Sequence, residues 1–234
     1  MEESKLNFKA GNPGAVQFGN FINYYQFHPP ENRLKLIPLD IWNENKPFFG
    51  LDLGCNTGDL TASIYNVLKE KVKYCKILGI DIDPSLVERA QEKIQYKEDV
   101  TFYCLDFMDE GGRTFIKDYL KKQKLNKFDV VFCFSITMWI HLNYGDTGLK
   151  KFLEEICSLG NVIVVEPQPW KCYRSAVKRM KLCKADFPLF KELKMRQTIE
   201  DDIEQFLLVN CKTIKMYESA RTDWGRKLLI FKCS

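Results

Sequence analysis

Three carboxylates stand at spaced intervals around a glycine turn in this chain. The stretch LDLGCNTGDLT (51–61) runs from an apolar segment through a Gly-x-x-x-Gly turn into a helical period. Gly54 and Gly58 let the backbone turn tightly and approach a ligand closely. Asp52 precedes the first glycine by two residues. The next apolar run ends GIDID, placing Asp81 and Ile82 at its tip, and the one after ends CLDF, placing Asp106 and Phe107. An acid at the carboxyl end of a second parallel strand is where a ribose diol is held by paired acceptor bonds. On this reading Asp81 takes the ribose, Ile82 packs on adenine, Asp106 accepts from the adenine amino group and Phe107 flanks the ring. A lone strand-end aspartate is commonly a turn or cap residue. A nicotinamide site would carry Gly-x-Gly-x-x-Gly, which is absent. Three acids in register after a glycine turn favour S-adenosylmethionine as the ligand.

Two further stretches carry chemistry. FGNFINYYQFHPPENR (18–33) has five aromatics in its first eleven residues and one of the two histidines of the chain. Its glycine, asparagines and paired prolines interrupt every helical or strand period. KCYRSAVKRMKLCK (171–184) has six basic residues and no acid. As a helix it puts Lys171, Arg174, Lys178 and Lys181 on one face and Ala176, Met180 and Cys183 on another. Such runs are often only solvated faces; beside a phosphate site the stripe would be an RNA backbone track.

These residues need a scaffold, and the periodicity supplies one. Apolar runs at 48–54, 76–82, 100–107, 129–136 and 161–167 alternate with helical periods at 59–71, 85–94, 113–123 and 148–158. Continuous apolar strands between amphipathic helices predict an α/β fold with a mostly parallel sheet covered on both faces. The last two runs, 211–219 and 226–234, have no helix-length connection and predict a C-terminal antiparallel hairpin. Between them and the basic run, TIEDDIEQFLLVN (198–210) opens with Thr198 and Asp201 at capping-box-like spacing and reads as a structural helix. No linker or repeat divides the 234 residues, so we expect a single domain over 1–234, with 1–33 as an N-terminal arm.

Composition narrows the classes. Nine scattered cysteines without a Cys-x-x-Cys, and two distant histidines, argue against a structural metal. The N-terminus lacks an apolar leader core, and the longest strongly apolar stretch, 129–140, is too short to span a bilayer. We expect a reduced, cytoplasmic protein with no membrane partner. The net charge of +4 matters only through where it lies.

An acid-x-Gly turn on such a sheet resembles the class I (Rossmann-like) methyltransferases, with Asn56 where their middle glycine stands. That departure offers an amide to the methionine portion of the cofactor. Base amino-methyltransferases carry an Asn/Asp-Pro-Pro-aromatic turn after the fourth strand; here the chain reads SITMWIHLN (135–143). After the fifth strand comes EPQPWKCYR (166–174). Together with FGNFINYYQFHPP and DIDP, these motifs resemble the RNA 5′-phosphate methyltransferases related to the methylphosphate capping enzyme, nearest their 5′-monophosphate branch.

The resemblance implies methyl transfer from S-adenosylmethionine to the 5′-monophosphate of a small RNA, of the histidine tRNA or precursor microRNA class. We expect a monomer. The resemblance places Arg33 near the carboxylate of the cofactor, and makes 18–33 an active-site lid in which Tyr24, Tyr25 and His28 close over the phosphate. The lid aromatics would exclude water and offer a flat surface to the terminal base. His141 would be a substrate contact or a structural hydrogen bond; Trp139 is expected to pack and Trp170 to line the acceptor pocket. Neutral polar donors, rather than strong cations, are expected to hold the phosphate. In enzymes acting on 5′-triphosphate ends an arginine matches His28, so histidine implies preference for one phosphate. Two other functions stay open at this point: a methyltransferase for another acceptor, and a cofactor-binding RNA-binding module without turnover.

Overall fold

In the computed structural model, which describes residues 6–38, 41–42 and 46–234, seven strands form one sheet in the order β3-β2-β1-β4-β5-β7-β6. The first five are β1 (Pro47–Leu53), β2 (Tyr74–Asp81), β3 (Val100–Cys104), β4 (Phe128–Phe134) and β5 (Gly160–Glu166), all parallel. β6 (Ile214–Glu218) and β7 (Leu229–Lys232) pair antiparallel, and β7 also runs antiparallel to β5. Residues 1–5 of the expected arm lie outside the described residues. The arm contributes two short helices, α1 (Tyr24–Phe27) and α2 (Pro30–Leu34).

Successive strand residues feed opposite faces, as the two-residue period requires. Phe48, Ile77, Val130 and Phe132 pack with α3 (Asp59–Leu68) and α4 (Pro84–Lys93). Leu51, Leu78, Val131 and Cys133 pack with α5 (Glu110–Lys122), α6 (Thr137–Leu159), α7 (Trp170–Leu182) and α8 (Ile199–Val209). Because β1 pairs with β2 on one side and β4 on the other, the strand order reverses there. The crevice at such a reversal, outside the carboxyl ends, is where open α/β sheets bind ligands. Asp52, Asp81 and Glu166 all stand at that edge.

Three local expectations differ from the structure. The third strand ends at Cys104 rather than 107: Leu105 N–H turns back to the Asp81 carbonyl (2.9 Å), and the Asp106 carboxylate accepts from Met108 N–H (2.8 Å). The helix expected at 148–158 begins at Thr137 and is broken at Gly145, whose φ of 68° is non-helical. Its start is held by Gln168, whose Oε1 accepts from Thr137 Oγ1 and Met138 N–H, both at 3.0 Å. The Thr198 capping box does not form; the hydroxyl meets the Asp202 carboxylate instead (3.2 Å).

Gly112, in the first turn of α5, lets this helix approach the loop that presents Asp106. A Cβ there would stand 2.1 Å from the Asp106 carbonyl oxygen. Alanine would gain about 1 kcal/mol of helix propensity, but the neighbour is backbone and cannot rotate away. We expect Gly112→Ala to lower unfolding stability by about 1–3 kcal/mol, measured as a shift of the urea midpoint at unchanged m; a stabilised variant would contradict this packing.

Candidate functional site

The glycine turn wraps around the tip of β2. Gly54 and Cys55 N–H both donate to the Ile80 carbonyl, at 2.9 and 3.0 Å. Gly54 has a φ of 76°, and a Cβ there would fall 2.4 Å from Ile136 Cγ2, so position and conformation both call for glycine. The turn walls one side of a cleft at the carboxyl edge of the sheet. Asp52, Asp81, Ile82, Asp106 and Phe107 all line it.

The acids in this cleft are not equivalent. Asp81 accepts Asn56 N–H on one oxygen (2.8 Å) and Asp83 N–H on the other (3.0 Å), leaving each oxygen able to accept again. Asp52 accepts the Thr61 hydroxyl (2.5 Å), which ties β1 to α3. Burial raises both, and each is pushed up to about 6. Burial also raises Asp106, whose second oxygen lies 3.5 Å from the Tyr144 hydroxyl.

The arm roofs this cleft and is fastened at separate points. Asn20 donates to the Asp83 carboxylate (2.7 Å), and Asn56 donates its amide to the Phe21 carbonyl (2.9 Å). Gly19 packs on Trp139, where a Cβ would fall 2.2 Å from the indole nitrogen. The strongest fastener is Arg33, fully buried on α2. Its Nη2 and Nε donate to Glu166 Oε2 at 2.8 and 3.1 Å, and Nη2 also reaches Tyr24 Oη (2.6 Å) and Ser135 Oγ (3.1 Å). Burial works against the Arg33 charge, yet Tyr24 and Glu166 hold its pKa above the usual arginine value. Arg33 also lines the cleft, and its Nη1 is buried without a protein partner. Buried donors are rarely left unpaired, so this atom fits a ligand carboxylate.

A second cleft shares Tyr24, Ser135 and Trp139 with the first. His28, Lys171, Arg179 and Arg226 also line it. His28 stacks on Tyr24 (4.7 Å between centroids) and meets Trp224 edge-on (4.8 Å). Burial, then Arg226 and Arg33, bring His28 down to about 4. Arg226 Nη1 donates to Ser135 Oγ (2.5 Å) and Tyr24 Oη (3.3 Å). Among the described residues, none of Lys171, Arg179 and Arg226 has a carboxylate partner.

Several expected site residues stand elsewhere. Tyr25 donates to the Cys55 carbonyl (3.3 Å) in the glycine turn and does not line the second cleft with Tyr24 and His28. Asn56 does line the first cleft, and its amide also bonds backbone at both ends, Phe21 O and Thr57 N–H, which helps to secure the arm. His141 is wholly buried between Tyr173 Oη (3.1 Å) and Asp146 Oδ1 (2.8 Å), which makes it structural. Trp170 stacks on Tyr173 and Phe190 and lines neither cleft. Trp139 packs as expected, beneath the arm. Arg174, Lys178 and Lys181 are exposed along a separate shallow groove. Lys171, Cys172, Ser175 and Arg179 are the α7 residues that face the second cleft.

Sequence reasoning missed Glu166, Ser135, Arg179 and Arg226. A faint signal existed in DWGR: Gly225 has a φ of 81°, the tight turn that presents Arg226. Arg226 lines the second cleft beside Tyr24, a cation where neutral donors were expected.

Comparison with known proteins gives a consistent result. A family model described as Bicoid-interacting protein 3 (Bin3) matches residues 128–233, and a methyltransferase-domain model matches 51–159. The pre-miRNA 5′-monophosphate methyltransferase of Xenopus laevis is 41% identical over 94% of this chain and 93% of its own length. The RNA 5′-monophosphate methyltransferase of Homo sapiens is 40% identical over 94% of this chain and 82% of its own. Among solved structures, the magnesium protoporphyrin IX methyltransferase of Synechocystis superposes with a TM-score of 0.57 at 16% identity, covering 92% of this chain and 84% of that one. The last likeness concerns the fold.

Two outcomes follow from this geometry. Glu166→Gln leaves the Arg33 charge buried without its counter-ion, and we expect a loss of roughly 3–5 kcal/mol in denaturant unfolding. Asp81 has a folded pKa raised from 3.8 to about 6, so the native state binds its proton more tightly than the unfolded chain. Its stabilising contribution is complete below about pH 4 and is lost as pH rises through about 6. Compared with Asp81→Asn, the unmodified protein should therefore lose relative thermal stability across that window; a constant difference in melting temperature from pH 4 to 7 would contradict the raised pKa.

Proposed function

This chain belongs to the RNA 5′-monophosphate methyltransferase family, and from that membership we propose that its two clefts hold S-adenosylmethionine and the 5′-terminal phosphate of an RNA. The observation that carries the proposal is their shared wall. One cleft has strand-end carboxylates and a buried guanidinium nitrogen, Arg33 Nη1, without a protein partner; the other has three cations with no carboxylate partner among the described residues; Tyr24 and Ser135 stand between them. The substrate is a small RNA, of the precursor microRNA or histidine tRNA class.

The residues present fit the cofactor. Asp81 accepts the ribose hydroxyls, Ile82 and Phe107 enclose the adenine, Asp106 accepts from its amino group, and Arg33 Nη1 takes the carboxylate. When bound, S-adenosylmethionine supplies an electrophilic methyl group on a sulfonium. The phosphate needs little activation. Its second pKa is near 6, so at pH 7 it is largely a dianion and no general base is required. Positioning is therefore the main contribution.

Tyr24 is well placed for that positioning. Its oxygen accepts from both Arg33 and Arg226, so its own proton remains to be donated to a phosphate oxygen. Arg226 supplies the fixed counter-charge. His28 is neutral at pH 7 before RNA arrives, and its Nδ1 has no protein partner. It adds a hydrogen-bonding site rather than a further guanidinium beside Arg179 and Arg226, which supports preference for one phosphate over three. The arm excludes water from the reacting atoms.

The whole chain is assigned as one catalytic domain, with the arm as its lid. Action as a monomer is part of this proposal. Among the described residues no helix is long and apolar enough to cross a membrane, and no cluster of ligating side chains is arranged for a metal. All nine cysteines are free, which suits the cytoplasm.

The decisive measurement is transfer of labelled methyl to one RNA bearing a 5′-monophosphate, 5′-hydroxyl or 5′-triphosphate. We expect strong preference for the monophosphate and none for the hydroxyl. Arg226→Met should lower kcat/KM for the monophosphate about 10²–10³-fold, the scale of losing one preorganised charge donor, while leaving S-adenosylhomocysteine affinity by calorimetry unchanged. Equal methylation of monophosphate and triphosphate ends would remove the specificity claim.

A further inference from the structure

The arm carries more aromatics than its packing uses. Phe21 meets Trp139 edge-on at 5.8 Å, and Tyr24 stacks on His28. Tyr25 donates to Cys55 O, and Phe18 lines the nucleoside cleft. Phe27 alone has no such use. It is 74% exposed, the most exposed large apolar side chain described. A single surface phenylalanine would need no explanation, but this one lines the second cleft together with His28, Lys171 and Arg179.

We propose that Phe27 is the stacking platform for the 5′-terminal nucleobase. The inference rests on the assignment of the second cleft to a terminal phosphate, and it adds the part of the substrate next to that phosphate. The argument is one of complementarity. A groove combining unpaired cations with a free aromatic face is how single-stranded nucleic acid is held, the cations on phosphate and the ring on a base. The helix α1 sets the spacing: Tyr24 and Phe27 are three residues apart and share a side of its single turn. A phosphate at Tyr24 and Arg226 would have its base one ribose away, in the cleft that Phe27 also lines. Stacking of this kind tolerates any base, because every base has a π-face. A peptide or small-molecule acceptor would have no use for both the ring and the three cations.

The test uses two 5′-monophosphorylated RNAs, one with 2-aminopurine at the first nucleotide and one abasic there. We expect the unmodified protein to quench 2-aminopurine, Phe27→Ala to abolish most of the quenching, and Phe27→Trp to retain it. In turnover, Phe27→Ala should raise KM about 10-fold on the intact RNA, the lower range of a stacking loss, with no change on the abasic RNA and none in S-adenosylhomocysteine affinity. Quenching that persists in Phe27→Ala, or a KM change equal on both RNAs, overturns the platform. If Phe27-dependent quenching occurs without methyl transfer, the platform stands and the acceptor assignment falls.

Discussion

The active end of the molecule depends on one buried ion pair, Arg33 with Glu166. Both side chains are wholly inaccessible, and taking two charges out of water costs several kcal/mol per ion. A pair of this kind contributes little net stability compared with apolar residues of the same shape. What it contributes here is position. Glu166 sits at the tip of β5, and Arg33 comes from an arm that pairs with no strand. Through the same two residues the network reaches Ser135 at the tip of β4, Tyr24 on α1 and Trp224 before β7, whose indole donates to Glu166 (3.3 Å). Four separate stretches of chain are thereby held around one carboxylate.

The two clefts differ in electrical character, and the network is the boundary. On one side, Asp52 and Asp81 are crowded into a buried edge where burial keeps both near neutrality at mildly acid pH. On the other, guanidinium and ammonium groups face the cleft without counter-ions. Tyr24 belongs to both, with its oxygen between Arg33 and Arg226. Methyl transfer between a cation and a dianion needs such an arrangement, because the reacting groups must meet at a wall that neither repels.

The carboxylate edge of the first cleft was legible because it follows from strand register. Asp81 ends β2 and Asp106 lies just beyond β3 at the same edge of the sheet. The second cleft was less so, since its residues are brought together by contacts the sequence does not order. Arg226 arrives from the loop after β6, and Glu166 reads as the end of a strand until its partner is known. Within the basic run 171–184, the six cations are visible but the face that meets the arm is not. Arg179 faces inward because its Nε donates to the Gly14 carbonyl (2.7 Å), a contact across 165 residues. His141 and Trp170 misled for a related reason. Aromatic rings with polar tips suit a substrate pocket, and equally suit a core that satisfies them, as Tyr173 and Asp146 do for His141.

The net charge of +4 is small for a protein that meets a polyanion, yet three cations converge in one concavity while most carboxylates elsewhere are spread over the surface. Such a distribution gives the molecule an electrical direction. Its field is felt before contact, within about 8–10 Å at moderate ionic strength, and a charged concavity focuses it. A 5′-phosphorylated strand carries nearly two charges on its last group and one on each internal linkage, so it too has a polarity. Encounter is thus biased towards end-first arrival, and the search for the terminus becomes partly a matter of orientation in solution rather than of scanning along the strand.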